Sequence, residues 1–151
     1  MARIVVGIDQ SECSRQALSW ALEEARRWGA DLEVVYAFGA TTGWLGMADA
    51  VGASVTENFA EDEVTQAARA VLDGEVDSVI GPNADVTLIL RTVPLHAGEA
   101  LAEASNGADL VVVGTHGRGG IRSALLGSVS TFCVHHAHCP VVVVRERPPN
   151  P

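Results

Sequence analysis

Glycines dominate one stretch of this 151-residue sequence, directly after a run of valines. The stretch begins at Gly114 and ends with Gly127 and Ser128, where a segment that we predict to be helical begins. Glycine lets a backbone approach a ligand closely and adopt positive φ angles. The N–H groups at a helix start, together with the Ser128 hydroxyl, can hold phosphate oxygens, and the helix dipole favours such anions. These residues therefore predict a phosphate-binding loop that leads into a helix.

Asp9 is a second candidate, because it ends a short apolar run near the N-terminus. An acid at that position can accept hydrogen bonds from ribose hydroxyls or hold a metal-bound water. The alternative is a structural role as the N-cap of the following helix, where acids are favoured. The two roles are compatible, and the sequence leaves both open.

Two widespread phosphate-binding motifs do not fit the glycines. A Walker A loop requires GxxxxGK[ST]; Gly114 and Gly119 have the glycine spacing, but Gly120 stands where the lysine belongs. A dinucleotide fingerprint would fall in the first strand–helix turn, which here reads Asp-Gln-Ser-Glu at 9–12. The sequence thus predicts neither a P-loop enzyme nor a standard NAD-binding protein.

The elements that must position these residues alternate along the chain. Apolar runs predict strands over 3–9, 32–38, 84–90, 110–113 and 141–144. Periodic segments and capping residues predict helices from Ser11 to Gly29, from Ser54 to Gly81, from about Ala97 to a stop at Asn106-Gly107, and over 128–138. Residues 39–53 have no clear period and are predicted to be a long loop, whereas 84–90 alternates in part and is typical of an edge strand. This order predicts an α/β fold: a doubly wound, five-stranded parallel sheet with helices on both faces.

Composition excludes several classes of function. Ten arginines, no lysines and 19 acidic residues leave a net charge of −9, which argues against nucleic-acid binding. No stretch approaches the ~18 apolar residues of a membrane helix, and Asp9 interrupts the N-terminal run too early for a signal peptide. We expect a cytoplasmic protein with one domain over 1–147, a frayed tail over 148–151, and no membrane partner.

Cysteines and histidines cluster near the C-terminus. The spacing of the three cysteines fits neither a disulfide framework nor a paired CxxC zinc site, so we predict small buried residues at Cys13, Cys133 and Cys139. His135 and His138 can share one helix face, but a helix-end position explains them better than a metal site. No catalytic or metal-ligating residue is assigned.

The glycine stretch resembles the ATP-binding motif of the universal stress protein family, G-x2-G-x9-G-[S/T]. Gly114, Gly117, Gly127 and Ser128 reproduce it with every interval intact. Further matches are GxDxS at 7–11, GADLxVV at 29–35, GADLVVVG at 107–114 and CPVVVV at 139–144. The resemblance covers essentially residues 3–145, and the order and spacing of the motifs together make it specific.

The resemblance implies a Rossmann-like fold of the adenine nucleotide alpha hydrolase type, with strand order 3-2-1-4-5. It implies ATP, accompanied by Mg2+, over the cleft between the first and fourth strands. Asp9 then faces the nucleoside, the backbone at Ala37 meets the adenine edge, and Arg118 is an additional phosphate contact. The complete set of implied binding residues is Gly7, Asp9, Ala37, Val113, Gly114, Gly117, Arg118, Gly127, Ser128 and Val129.

The leading hypothesis is a nucleotide-dependent regulatory module that transmits its ATP-bound state to an unidentified protein partner. The resemblance also implies a homodimer through Val141–Val144, since pairing removes an exposed apolar edge. A slow ATPase and a cAMP-binding protein of the same family remain as alternatives. Hydrolysis requires a positioned water, and only Asp9 stands out as a base. His116 either touches phosphate or packs the loop.

Overall fold

Five parallel strands form a single sheet in the computed structural model, which describes residues 1–39, 61–117 and 126–147. The strands are β1 (Arg3–Ile8), β2 (Asp31–Ala37), β3 (Leu88–Val93), β4 (Leu110–Gly114) and β5 (Val141–Val144). The helices are α1 (Glu12–Trp28), α2 (Glu61–Val79), α3 (Ala97–Ala104) and α4 (Ser128–His136). The sheet order is β3-β2-β1-β4-β5, which confirms the predicted fold class and strand order.

β1 is the centre of the sheet and the origin of its switch point. It pairs with β2 on one side and β4 on the other, so that Ile4 lies opposite both Leu32 and Leu110. The chain winds outwards from β1 through β2 to β3, and in the other direction through β4 to β5. The carboxyl ends of β1 and β4 therefore flank the crevice in which doubly wound sheets bind ligands.

Alternate residues of β1 build two cores, because successive side chains of a strand point to opposite faces. Ile4 and Val6 pack with buried residues of α1 and α2 on one face. Val5, on the other face, packs with residues of α3 and α4, including Leu101 and Cys133. Helices thus cover both faces, as predicted.

α1 has the predicted capping residues at both ends. The Ser11 side chain accepts a hydrogen bond from the Ser14 N–H at the N-terminus, and Gly29 ends the helix with a φ of 62°. Trp28 falls at the helical spacing of the apolar stripe Ala17, Leu18, Ala21, Leu22 and Ala25, which predicts burial, but its side chain is 48% exposed. It is the last residue of α1, and the buried stripe of this helix ends at Ala25.

β3 begins and ends later than predicted. The strand covers Leu88–Val93, not 84–90, with Leu88 opposite Leu32 and Val93 opposite Ala37. The residues before it bend, and Asp85 accepts hydrogen bonds from Arg26 at the end of α1. The Thr87 carbonyl accepts a hydrogen bond from the Leu32 N–H at 2.9 Å, so the contact with β2 begins directly before Leu88. The predicted edge position is confirmed, because β3 pairs only with β2 within the described residues.

The other predicted boundaries need smaller corrections. The remaining strands agree within one residue, and α3 ends at Ala104, just before the predicted stop at Asn106-Gly107. α4 ends at His136 and does not reach position 138, because Ala137 leaves the helical conformation at the C-cap. The loop over 40–53, the start of the second helix at 54–57, and the tail over 148–151 lie outside the described residues.

Cys13 and Cys133 are buried, as predicted, but the prediction of a buried Cys139 is wrong, since this residue is only half-buried; all three are free thiols. His138 lies beyond the end of α4 and therefore does not share a helix face with His135. His135 and His136 stand in the last turn of α4, where the His136 ring lies 4.2 Å from that of Phe132.

Across residues 1–39, 61–117 and 126–147, none of the helices combines the length and apolar character that crossing a membrane requires.

Candidate functional site

A cavity of about 290 Å3 opens at the carboxyl ends of β1, β2 and β4. This volume is close to the lower limit of about 300 Å3 for small-molecule pockets. Arg118, one of the ten predicted binding residues, lies outside the described part of the chain. The other nine all line the cavity: Gly7, Asp9, Ala37, Val113, Gly114, Gly117, Gly127, Ser128 and Val129.

Asp9 is held in a fixed orientation by the turn between β1 and α1. Its Oδ1 accepts hydrogen bonds from the backbone N–H and the hydroxyl of Ser11, and its own N–H donates to the Ser14 hydroxyl at 3.2 Å. Gln10, between them, has a φ of 68°, in the left-handed region. Asp9 is therefore not the N-cap of α1; Ser11 has that role, and Asp9 orients Ser11 while lining the cavity.

The three motif glycines leave room for other parts of the protein. A Cβ on Gly114 would lie 2.8 Å from Cys13 Sγ, and one on Gly117 would lie 2.5 Å from Asp9 Oδ2. A Cβ on Gly127 would lie 2.9 Å from the Thr115 carbonyl oxygen. All three distances are shorter than real Cβ contacts, so a side chain at any of these positions displaces its neighbour. These positions require glycine, as expected, but the requirement comes from packing within the protein and not from a ligand.

Thr115 joins the loop after β4 to the start of α4. Its carbonyl oxygen accepts hydrogen bonds from the Gly127 N–H at 2.6 Å and from the Ser130 hydroxyl at 3.2 Å. Its N–H donates to the Val144 carbonyl of β5 at 3.0 Å. The backbone N–H and carbonyl of one residue therefore connect the α4 N-terminus to the sheet.

The N-terminus of α4 opens on the cavity without a side-chain cap. Gly127 is the N-cap residue and has no side chain with which to cap the first turn, and among the described residues no side-chain cap is found there, whereas Ser11 caps α1. The first N–H groups of a helix have no acceptor within the helix. Ser128, Val129 and Ser130, which carry such groups, all line the cavity. The Gly127 N–H is already used by Thr115, so anion binding there falls to the next residues.

One wall of the cavity was missed from the sequence. Leu95 and His96 follow β3, Leu101 belongs to α3, and all three line the cavity. Gly39 passes so close to the Leu95 carbonyl group that a Cβ there would overlap it. Because β3 was predicted to end at position 90, Leu95 and His96 were not placed near the carboxyl end of the strand. With the strand ending at Val93, the rule that ligands bind beyond strand carboxyl ends would have identified it.

His116 lines the cavity and carries a buried Nδ1. Among the described residues this atom has no hydrogen-bond partner. A buried polar atom of this kind requires a partner, either a ligand or another group. Both roles left open by the sequence, phosphate contact and loop packing, agree with this position. Within the described ranges, no three His, Cys, Asp or Glu side chains converge to hold a metal ion.

Comparisons with known proteins agree with this architecture. The sequence profile of the Universal stress protein family matches residues 1–145. A universal stress protein of Mycolicibacterium smegmatis is 36% identical over 144 residues, covering 95% of this chain and 46% of that protein. This chain therefore spans about half the length of the curated relatives that it matches.

Two solved structures show the same fold. The universal stress protein UspA from Lactobacillus plantarum superposes with a TM-score of 0.68 at 21% identity, covering 95% of this chain and 97% of the other. A universal stress protein solved in complex with cAMP has a TM-score of 0.66 at 27% identity, covering 95% and 96%. Profile, relatives and structures agree over nearly the whole sequence, and the chain belongs to the universal stress protein family.

Proposed function

We propose that this chain binds ATP in the cavity at the switch point of the sheet and acts as a nucleotide-dependent regulatory module. The observation that carries the proposal is the N-terminus of α4, which opens on the cavity and has no side-chain cap among the described residues. An uncapped helix start with small residues is suited to an anion, because its N–H groups and its dipole both attract negative charge.

The remaining walls suit a nucleoside. Ala37, at the end of β2, offers backbone groups to the adenine edge, and Leu95 and Leu101 form an apolar surface beside it. Asp9, oriented by Ser11, accepts hydrogen bonds from ribose hydroxyls. The order along the cavity is then base at β2, ribose between β1 and β4, and phosphates at α4. Arg118 remains the proposed additional phosphate contact.

Mg2+ fits this site as a companion of the phosphates. No group of three protein ligands converges in the described residues, so the ion would be held mainly by phosphate oxygens and water. Asp9 is the carboxylate nearest to the proposed phosphate loop, as its contact with Gly117 shows.

A cAMP-binding protein is the second candidate. It is favoured by the 27% identical universal stress protein that was solved with cAMP. A cyclic nucleotide needs less room at α4 than a triphosphate, and the cavity of about 290 Å3 is small. Weak ATP hydrolysis is a further alternative within the ATP proposal, with Asp9 as the only carboxylate lining the described cavity.

The experiment is native mass spectrometry of the purified chain, followed by denaturation and identification of any released nucleotide. Retained ATP supports the proposal, and retained ADP alone indicates slow hydrolysis. Isothermal titration with ATP, cAMP and GTP then ranks the ligands. Binding of cAMP in preference to ATP selects the second candidate. A chain that arrives empty and ignores ATP and cAMP overturns nucleotide binding altogether.

Two glycine substitutions test the site itself. Gly127→Ala places a Cβ against the Thr115 carbonyl and shifts the start of α4, so we expect ATP affinity to fall by about tenfold or more. Gly74→Ala is the matched control, because nothing lies within 4 Å of a Cβ on this exposed residue of α2. Unchanged ATP affinity in Gly127→Ala would contradict the proposed phosphate position.

A further inference from the structure

Cys13 lies where the candidate phosphate loop, α1 and the last strand meet. The residue is 3% exposed in the first turn of α1. The Thr115 N–H donates to its Sγ at 3.2 Å, and the thiol donates to the Val144 carbonyl oxygen at 3.3 Å. The Thr115 hydroxyl lies 3.4 Å from the same sulfur. One thiol therefore contacts the loop after β4 and the end of β5 together.

The backbone of Thr115 extends this contact to the helix start. Its N–H is shared between Cys13 Sγ and the Val144 carbonyl, and its carbonyl accepts from Gly127 and Ser130. A displacement of Thr115 moves the Gly127 N-cap, and with it the first turn of α4. The N–H groups proposed to bind phosphate belong to that turn.

The backbone at Gly114 lies very close to the Cys13 sulfur. A Cβ on Gly114 would lie 2.8 Å from Cys13 Sγ and 3.1 Å from the Cys13 backbone carbon. The loop thus rests directly on Cys13, without a side chain between them. Removing the sulfur leaves a space into which the backbone at 114–115 can move.

We propose that Cys13 is a positioning residue for the nucleotide site. It holds the backbone of Thr115, and thereby the N-terminus of α4, in the position that phosphate binding requires. The identity of the ligand rests on the proposed function, but the positioning itself is a matter of contacts within the protein. The effect is selective, because Ala37 ends β2 and Leu95 follows β3, so the base side is built from elements other than those that Cys13 joins.

Cys133 provides a matched control. It is also a buried free thiol, with 0% exposure, in the core between α4 and the sheet. In the described part of the chain its sulfur makes no hydrogen bond with Thr115 or the loop. A change that matters only through lost packing should appear in both cysteines.

The experiment compares Cys13→Ala, Cys13→Ser and Cys133→Ala by titration with ATP and with adenosine. We expect Cys13→Ala to weaken ATP binding by about tenfold and adenosine binding by no more than about twofold. Cys13→Ser should recover part of the ATP affinity, because a hydroxyl can accept the same N–H. Cys133→Ala should leave the ratio of the two affinities unchanged.

Amide hydrogen exchange at Gly127, measured by NMR without ligand, makes the test independent of the nucleotide. Faster exchange at Gly127 in Cys13→Ala than in Cys133→Ala supports the proposal, even if wild-type protein binds no ATP and the proposed function fails. Equal exchange in the two variants overturns it. A fall in ATP affinity that is equal for both cysteine variants, or that adenosine shares in full, also overturns it.

Discussion

At the scale of single residues, the spacing of the motif glycines correctly predicted that they border the cavity, but close approach of a ligand is only part of the reason for glycine there. Gly114, Gly117 and Gly127 all border the cavity, as their spacing predicts. The space that each side chain would occupy is nevertheless filled by Cys13, Asp9 or the Thr115 carbonyl. These contacts draw three turns together and leave the backbone facing the cavity. Glycine at these positions allows the loop to pack, and the packed loop in turn presents its backbone to a ligand.

The three thiols should differ sharply in reactivity. Burial raises the pKa of Cys133 to about 11, so roughly one molecule in a thousand carries the thiolate at pH 8. Burial, and then the charge of Asp109, also raise the pKa of Cys139, but its side chain is only half-buried. In native protein we expect iodoacetamide at pH 8 to label Cys139 first, as read by peptide mass spectrometry.

The pH dependence follows from the direction of these shifts. A raised thiol pKa means that the thiolate fraction, and hence the labelling rate, keeps rising with pH above the ordinary cysteine range. In denaturant all three thiols should react at similar rates, which is the control. Labelling of native Cys133 as fast as Cys139 would contradict the structure.

At the scale of elements, two glycines with equally open surroundings should respond in opposite ways to alanine. A Cβ on Gly74 or on Gly29 meets nothing within 4 Å, but only Gly29 has a positive φ, of 62°. Gly74 lies within α2, so Gly74→Ala should raise the free energy of unfolding by about 1 kcal/mol. Gly29→Ala should lower it by about 1 kcal/mol, since alanine resists the left-handed conformation.

Urea denaturation followed by circular dichroism measures both changes on the same wild-type baseline. The pair isolates backbone conformation, because neither substitution creates a clash or removes a contact. Equal signs for the two variants would mean that φ at the end of α1 does not control the capping energy.

Ion pairs between side chains also connect neighbouring strands of the sheet. Glu33 on β2 is 2% exposed and accepts hydrogen bonds from Arg3 on β1 and from Arg91 on β3. Arg3 also donates to the Asn106 carbonyl oxygen at 2.8 Å. A buried carboxylate between two guanidinium groups is satisfied, and it ties three neighbouring strands together at the face of the sheet near α3.

At the scale of the whole molecule, the outer edge of β5 is the place where we propose a second copy to pair. The carbonyls of Pro140 and Val144 both accept from the β4 side. Since backbone direction alternates along a strand, the N–H groups of Val141 and Val143 point outwards. No described strand pairs with this edge, and all four valines are half-buried. An apolar edge of this kind is usually covered in native proteins.

Val143→Pro removes one outward donor while leaving the β4–β5 ladder in place. Proline is tolerated on an edge strand when its nitrogen faces away from the ladder. We expect wild-type protein to be a dimer by native mass spectrometry and light scattering, and Val143→Pro to be a monomer. Val143→Ala, which keeps the N–H, should remain dimeric. A monomeric wild type, or a dimeric Val143→Pro, would contradict pairing through β5.

The protein partner, the cytoplasmic location and the single domain over 1–147 remain predictions.

Local physics made the elements predictable from the sequence. The caps at Ser11 and Gly29 depend on residues within one turn of the helix end, and both were correct. The bounds of β5 were also correct, and α3 ends just before its predicted stop at Asn106-Gly107, because apolar period and turn residues are local signals. The candidate loop from Gly114 to Ser128 was visible for the same reason, and the family resemblance supplied the strand order that spacing alone does not contain.

The tertiary structure decided what depends on contacts between distant parts of the chain. β3 begins where it meets β2, and this pairing, not its own alternation, sets its end and therefore the wall at Leu95 and His96. The contact of Cys13 with Thr115 joins residues 102 positions apart. Sequence spacing carries no record of such distances, because side chains that far apart meet only after the sheet has assembled.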